Sequence, residues 1–399
     1  MVFRYSIKCD TCSTPHTLRI SVGHNNWQDH TFMCIECSEE IQVGMAVDYD
    51  KITTDIQCLS NCEPTNEEGC IVNLNPEFVV SEDLIHKDNV FPWMHEINKQ
   101  FDLEKQAKKS FEFNGIKFTD AFLSLGGNQQ ITEEWQSLKK AWSLEINEKQ
   151  VISQNKIHEY FLDKNFKRDP SLIEWQFGFS QQFIASEFMK DFETLNNYCK
   201  DIYCKFTFEF EKFIAYYKKN LEKDHFYRYF ELYSNYFKNF SEYSQALLFV
   251  KNKKEISLKL QAVSINFKKT KMFYGDSYER YTSNLVVLAC INNIASGRSF
   301  DEFQSMHLKK YLTINKAKRA NPFKDVPELS VFATCLESTL RNASHHGAMK
   351  LQKGKIKYRS GGTGVEHTMT YTQYIEKCNQ IALLSMVLFM NELVIVGIR

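Results

Sequence analysis

Four cysteines near the amino end constrain this chain more than any other feature. Cys9 and Cys12 form one C-x2-C pair, Cys34 and Cys37 form a second, and a 21-residue spacer separates them. Each C-x2-C turn aims two thiolates at one point, and two such turns complete a tetrahedral four-sulfur shell suited to Zn2+. Between them, Thr17-Leu18-Arg19-Ile20-Ser21-Val22 and His30-Thr31-Phe32-Met33 alternate as strands do. The spacing predicts a small β zinc ribbon within residues 1–74. All four ligand positions are filled, so the expected ion is structural and not catalytic. Cys58, Cys62 and Cys70 are irregularly spaced and read as loop thiols. His16, His24 and His30 are alternative ligands that the pattern does not require.

The remaining chain is long enough for two further domains. Its 399 residues are 43% hydrophobic and 25% charged, with only 15 Gly and 7 Pro, which excludes disordered, collagen-like and low-complexity classes. The formal net charge of zero hides an asymmetry. Residues 251–399 hold 23 Lys and Arg against 11 Asp and Glu, and residues 1–250 carry the matching acidic surplus. Such a split points either to a polyanion partner for the basic part or to an acidic domain docked on a basic one. The start, MVFRYSIKCDTC, has no apolar run of a secretory signal. The apolar run 381–398 is interrupted by Asn391 and Glu392 and reads as a buried core helix, so no membrane partner is expected. A cytoplasmic protein follows from these signs, with its 12 cysteines as metal ligands or core thiols.

Residues 75–250 read as an acidic, mostly helical region with a sensing or regulatory role. Between Phe206 and Phe249, 16 of 44 residues are aromatic, and Phe226, Tyr229, Phe230, Tyr233, Phe237 and Phe240 fall on one helical face. Core packing is the expected use of that stripe; with the interleaved lysines, base stacking is the alternative. Gly126-Gly127-Asn128 reads as a plain turn. In residues 251–399 the pattern predicts four helices: Tyr278 to Ser296, Phe300 to Leu312, Pro327 to about Gly347, and Thr372 to Asn391. Lys355–Tyr358 and His367–Tyr371 flank a glycine-rich turn and predict a β-hairpin. The fold class expected is therefore mainly α, with a small β ribbon at the front and a helical bundle carrying a hairpin at the back.

The chemistry-bearing cluster ends the third of these helices: Glu337, Arg341, Asn342, His345 and His346. On one continuous helix Arg341 and His345 share a face, Asn342 and His346 share the next, and Glu337 could hold the Arg341 guanidinium. RNA cleavage by internal attack needs a base for the 2′-OH, an acid for the departing oxygen and a cation for the phosphate. Histidine can take either proton role, and arginine suits phosphate oxygens. The histidines could instead bind a metal, although no H-x-x-E or H-E-x-x-H companion is present, or could merely cap the helix dipole. Lys350, Lys353, Lys355, Lys357 and Arg359 follow the cluster, and Lys309, Lys310, Lys316, Lys318 and Arg319 precede it. They are read as a basic rim for an RNA backbone.

Arg341-Asn342-x3-His346, late in a helix of a four-helix unit, resembles the R-N-x-x-x-H motif of the HEPN superfamily of ribonucleases. The resemblance covers about residues 270 to 399. It implies a metal-independent endoribonuclease that leaves a 2′,3′-cyclic phosphate in a site shared by two copies. Arg341 and His346 carry over directly, Asn342 matches the usual polar position, and Glu337 fits an acidic residue one turn earlier. His345 is an addition to that pattern. Only one copy of the motif occurs here, so the resemblance implies a homodimer. A zinc ribbon ahead of such a unit is similar to abortive-infection, anti-phage proteins of the ApeA kind, with a phage protein as trigger. The alternatives are a non-catalytic RNA-binding adaptor and a zinc-ribbon scaffold for protein partners.

Overall fold

The computed structural model describes the chain apart from residues 107–110, 114–115, 119–126, 162–169, 264, 353, 363 and 398–399. The first strands are β1 (Val2–Cys9), β2 (Pro15–Ser21), β3 (Trp27–Met33), β4 (Glu40–Asp48), β5 (Thr53–Ser60), β6 (Cys62–Pro64), β7 (Cys70–Leu74) and β8 (Val80–Ser81). Helix α1 (Met94–Gln106) precedes the short strands β9 (Phe111–Phe113) and β10 (Ile116–Phe118). Six helices follow: α2 (Gly127–Ile146), α3 (Gln150–Phe161), α4 (Leu172–Lys205), α5 (Thr207–Asn220), α6 (Glu222–Lys238) and α7 (Phe240–Lys251). Next come β11 (Leu260–Gln261), α8 (Phe267–Thr270), α9 (Phe273–Asn284), α10 (Val286–Ala295), α11 (Leu308–Tyr311) and α12 (Ser338–His345). The chain closes with β12 (Met349–Gln352), β13 (Lys355–Arg359), β14 (Glu366–Thr370) and α13 (Tyr371–Gly397).

Compactness divides the chain into two units that cut across the 1–74, 75–250 and 251–399 segmentation. The first takes Met1–Gln106, Asn239–Tyr274 and Thr339–Asn379; the second takes Ala107–Lys238, Gly275–Ser338 and Gln380–Arg399. The three stretches of the first differ in charge. Met1–Gln106 holds 18 acidic residues against 7 Lys and Arg, while each of its two later stretches holds 7 Lys and Arg against 2 acids. The unit sums to a single negative charge. Lys269 pairs with Asp29 at 3.1 Å across these stretches. The asymmetry along the sequence is thus largely cancelled inside one unit.

In the first unit, β6-β1-β2-β7 form one sheet and β3-β4-β5 a second. Ile7, Leu18, Ile20, Ile41, Val43, Met45, Val72 and Leu74 are fully buried between them. The expected strands and hairpin are present, and the hairpin gains a strand, β12, to give β12-β13-β14. Gly361, at φ 64° in the turn between β13 and β14, takes a backbone conformation that favours glycine. Glu242 of α7 is buried and accepts hydrogen bonds from the Tyr371 hydroxyl at 2.7 Å and the Asn266 amide at 2.9 Å.

The second unit is helical and aromatic. Trp135 is 1% exposed, stacks on Phe237 at 5.0 Å and meets Tyr233 edge-on at 6.0 Å. The aromatic stripe of α6 is therefore core, as its period implied. Helix α4 opens on a capping box in which Ser171 and Glu174 satisfy each other's backbone N–H. Glu392 of α13 is fully buried and collects Tyr229 at 2.6 Å, His225 Nδ1 at 2.9 Å and Tyr217 at 2.5 Å. Among the described residues, one helix is long and apolar enough to cross a membrane, Tyr371–Ile395, and its apolar window is 89% buried.

Three of the four expected helices of residues 251–399 are changed. The Phe300–Leu312 helix shrinks to α11, because the Glu209 carboxylate takes the Phe300 N–H and Leu308 N–H bonds Asp301 O, folding the stretch into a loop. The third does not start at Pro327. A 3-10 turn, Ser330–Ala333, precedes α12, and the Tyr281 hydroxyl donates to Phe332 O at 2.9 Å, occupying a carbonyl that an α-helix would use. The first is interrupted at Leu285 and the fourth is α13. Gly126 lies outside the described residues, while Gly127 and Asn128 open α2 and not a turn.

Replacing Trp135 by Ala is expected to cost about 3–5 kcal/mol in urea unfolding, the range for a deleted core aromatic. Burial pushes the Glu242 carboxyl up to about 7, against hydrogen bonds from Tyr371 and Asn266 that lower it. A raised folded value means that its contribution is present at low pH and is lost as pH rises from the ordinary carboxylate range toward 7. Glu242→Gln should flatten the fall in urea midpoint over that window; an unchanged pH slope would show that Glu242 is not its source.

Candidate functional site

Each C-x2-C pair sits at the tip of a β-hairpin. The β1–β2 hairpin turns through Cys9-Asp10-Thr11-Cys12, and β3–β4 turns through Cys34-Ile35-Glu36-Cys37. The two tips are built alike. Ser13 N–H bonds Cys9 O at 2.8 Å and Ser38 N–H bonds Cys34 O at 3.0 Å. Ser13 and Ser38 both adopt positive φ, 61° and 56°. This repetition brings all four sulfurs within 4.8 Å of one another, with Cys12–Cys34 at 3.5 Å and Cys9–Cys37 at 3.8 Å. The edge of a tetrahedron with metal–sulfur bonds of 2.3 Å is about 3.8 Å, so the cluster matches the shell a zinc ion requires.

The thiols are unequal. Hydrogen bonding to Thr14 brings Cys12 down to about 6, while burial pushes Cys34 up to about 12. A bound cation would deprotonate all four. His16 lies beside them, with Nε2 3.3 Å from Cys34 Sγ. His24 pairs with Glu77 at 2.6 Å, and burial pushes His30 down to about 4. The three thiols read as loop residues lie in strands, Cys58 in β5, Cys62 opening β6 and Cys70 opening β7; Cys62 is buried with its thiol pushed up to about 12, and Cys70 is exposed.

The second cluster lies on α12. Leu340, Ala343 and Ser344 face inward, Arg341 and Asn342 are half-buried, and His345 and His346 are exposed. Arg341 Nη1 donates to Asn342 Oδ1 at 2.6 Å, and Asn342 Nδ2 donates to Ser360 Oγ at 3.2 Å. Asn342 thus links the guanidinium to the turn that follows β13. The helix ends as a Schellman motif: Gly347 has φ 66° and Ala348 N–H reaches back to Ala343 O at 3.1 Å. That closure leaves both imidazoles at the negative end of the helix dipole. Glu337 is not a helical turn inside α12; it stands one residue ahead of it.

Past Gly347 the chain enters the cationic sheet. Lys355, Lys357 and Arg359 alternate to one exposed face of β13, and exposed Lys350 lies directly opposite Lys357. Like charges in that register are destabilising. Arg359 pairs with Glu366 at 2.8 Å, which lowers that carboxyl. Lys353 lies outside the described residues. Two members of the preceding basic group are engaged within their own unit. Arg319 is buried, donates to Leu312 O and lies 5.0 Å from the Tyr311 ring centroid, and Lys316 donates to Glu279 O at 2.8 Å. Lys309, Lys310 and Lys318 remain exposed.

Sequence reasoning missed Ser360, which has no motif of its own and is found only through Asn342. It also missed Asn266, which joins Asp29 and Glu242. Purified protein is expected to carry one thiophilic divalent ion per chain, measured by elemental analysis, and Cys12→Ala with Cys37→Ala should lose it. No protein-family model matches the chain, and neither the curated proteins nor the solved structures contain a match.

Proposed function

We propose that the chain is a metal-independent endoribonuclease of the HEPN type, acting as a homodimeric anti-phage effector with a structural Zn2+ in its cysteine cluster. One observation carries this reading: Arg341, held by Asn342, and two exposed histidines end a helix that runs into a sheet on which exposed Lys350 and Lys357 face each other. In the reaction, His346 takes the proton of a ribose 2′-OH, and the 2′-oxygen attacks the adjacent phosphorus. The bond to the 5′-oxygen breaks, that oxygen receives a proton, and a 2′,3′-cyclic phosphate remains. Arg341 neutralises the charge that builds on the phosphoryl oxygens. The acid is the second copy's His346, which is why the reading takes a dimer, and His345 stands beside it as a further proton carrier. Lys350, Lys355, Lys357 and Arg359 hold the backbone, and affinity falls as salt rises.

Cleavage of a labelled RNA by the full chain should persist in EDTA. Arg341→Ala and His346→Ala should each lower the rate by at least ~10²-fold, the usual worth of a proton-transfer or charge-stabilising group. Variants that cut as fast as the parent would sink the proposal.

A further inference from the structure

A cleft of about 570 Å³ opens in the first unit beside α12, lined in part by Thr31, Gln42, Asn266, Lys268, Lys271 and Lys350. Its volume suits a ligand the size of one or two nucleotides and not a duplex. The cleft has three sides of different origin. One wall is the β3–β5 sheet that bears the second cysteine pair, the floor is the stretch 265–271, and the other wall is β12. The floor is hydrogen-bonded to the β3 wall and to α12, the helix that leads into β12. Thr31 Oγ donates to Ile265 O at 3.1 Å, Asn266 Nδ2 donates to Asp29 at 2.8 Å, and Ser344 Oγ of α12 donates to Lys271 O at 2.6 Å. The cleft is therefore built into the fold, with its floor bonded to the helix that carries Arg341.

Charge selects its occupant. Three lysines line the cleft against two carboxylates, Asp29 and Glu40. Asp29 is already committed, receiving Trp27 Nε1 at 2.7 Å, Asn266 and Lys269. The cleft is left with a cationic surplus next to neutral hydrogen-bonding groups, Thr31, Gln42 and Asn266. That combination recognises a phosphodiester with its sugar or base, and unstacked single strands offer both at once.

We propose that this cleft seats the single-stranded RNA nucleotides that flank the bond cut at the Arg341–His346 cluster, which makes the cysteine-bearing sheet a wall of the substrate groove. The inference rests on the ribonuclease reading for its ligand. Lys268 and Lys271 bind phosphate, and Lys350 joins the cleft to the cationic face of β13. Substrate selection then belongs to the same unit as the cysteine cluster.

The test uses the full chain with His346→Ala, and fluorescence anisotropy of a labelled single-stranded oligoribonucleotide across a salt series. Adding Lys268→Glu and Lys271→Glu should weaken binding by roughly tenfold or more and reduce the salt slope by about 1.4, two phosphates at ~0.7 each. Lys268→Arg with Lys271→Arg should restore both, and Lys200→Glu with Lys205→Glu on α4 should change neither. In the cleaving protein the Glu pair should raise KM and leave kcat in place. Unchanged affinity and slope in the Glu pair overturn the proposal, as does equal weakening by the α4 pair. The two readings fail separately: a parent chain that binds RNA through these lysines but does not cut it sinks the ribonuclease and keeps the cleft. A chain that cuts RNA with no dependence on them does the reverse.

Discussion

Four sulfurs within 4.8 Å of one another cannot all be thiolates without a cation between them, since like charges at that spacing repel strongly in a partly buried setting. The tips of both hairpins of the first unit meet at this cluster. Two hairpins that share little sequence are drawn tip to tip, and their sheets enclose the core of Ile7, Leu18, Ile41 and Val43. If the cluster is closed by an ion, its binding energy is folding energy for both hairpins. The same β3–β5 sheet bonds the 265–271 stretch through Thr31 and Asp29.

The second unit is held differently. It uses stacked aromatics and one buried carboxylate, Glu392, satisfied by two tyrosines and a histidine. A lone buried carboxylate would cost several kcal/mol, and its three partners offset that only in one arrangement of α5, α6 and α13. Such a group contributes specificity of packing more than net stability. It also shows why the apolar run of α13 belongs to a protein core: Glu392 interrupts the run where the helix needs a polar anchor.

Much of the local structure was legible along the chain. The C-x2-C spacing named the four thiols that cluster, the alternation of Thr17–Val22 and Lys355–Tyr358 named strands, and the period of Phe226 to Phe240 named a core face. The third helix was not legible. Pro327 and the apolar residues after it fit a long helix, but a tyrosine from α9 takes the Phe332 carbonyl and the helix starts eleven residues later. Glu337 lost its place inside the helix for that reason. The basic residues before the motif were likewise indistinguishable by type, and only burial separates Arg319 from Lys318.

Sequence alone determined which groups could do chemistry here: four cysteines at metal-ligand spacing and one Arg-Asn-x3-His cluster. Both are local patterns, set by a few residues of chain geometry. It could not decide where the charge would go. Read along the chain, an acidic front opposes a basic back; in three dimensions three separate stretches recombine into one nearly neutral unit, and Asp29 meets Lys269 across 240 residues. Long-range pairing of that kind depends on which sheet packs on which loop. Tertiary structure therefore decided which cations are engaged, as Lys269 is by Asp29, and it set Lys350, Lys355 and Lys357 in the sheet that follows the helix carrying Arg341.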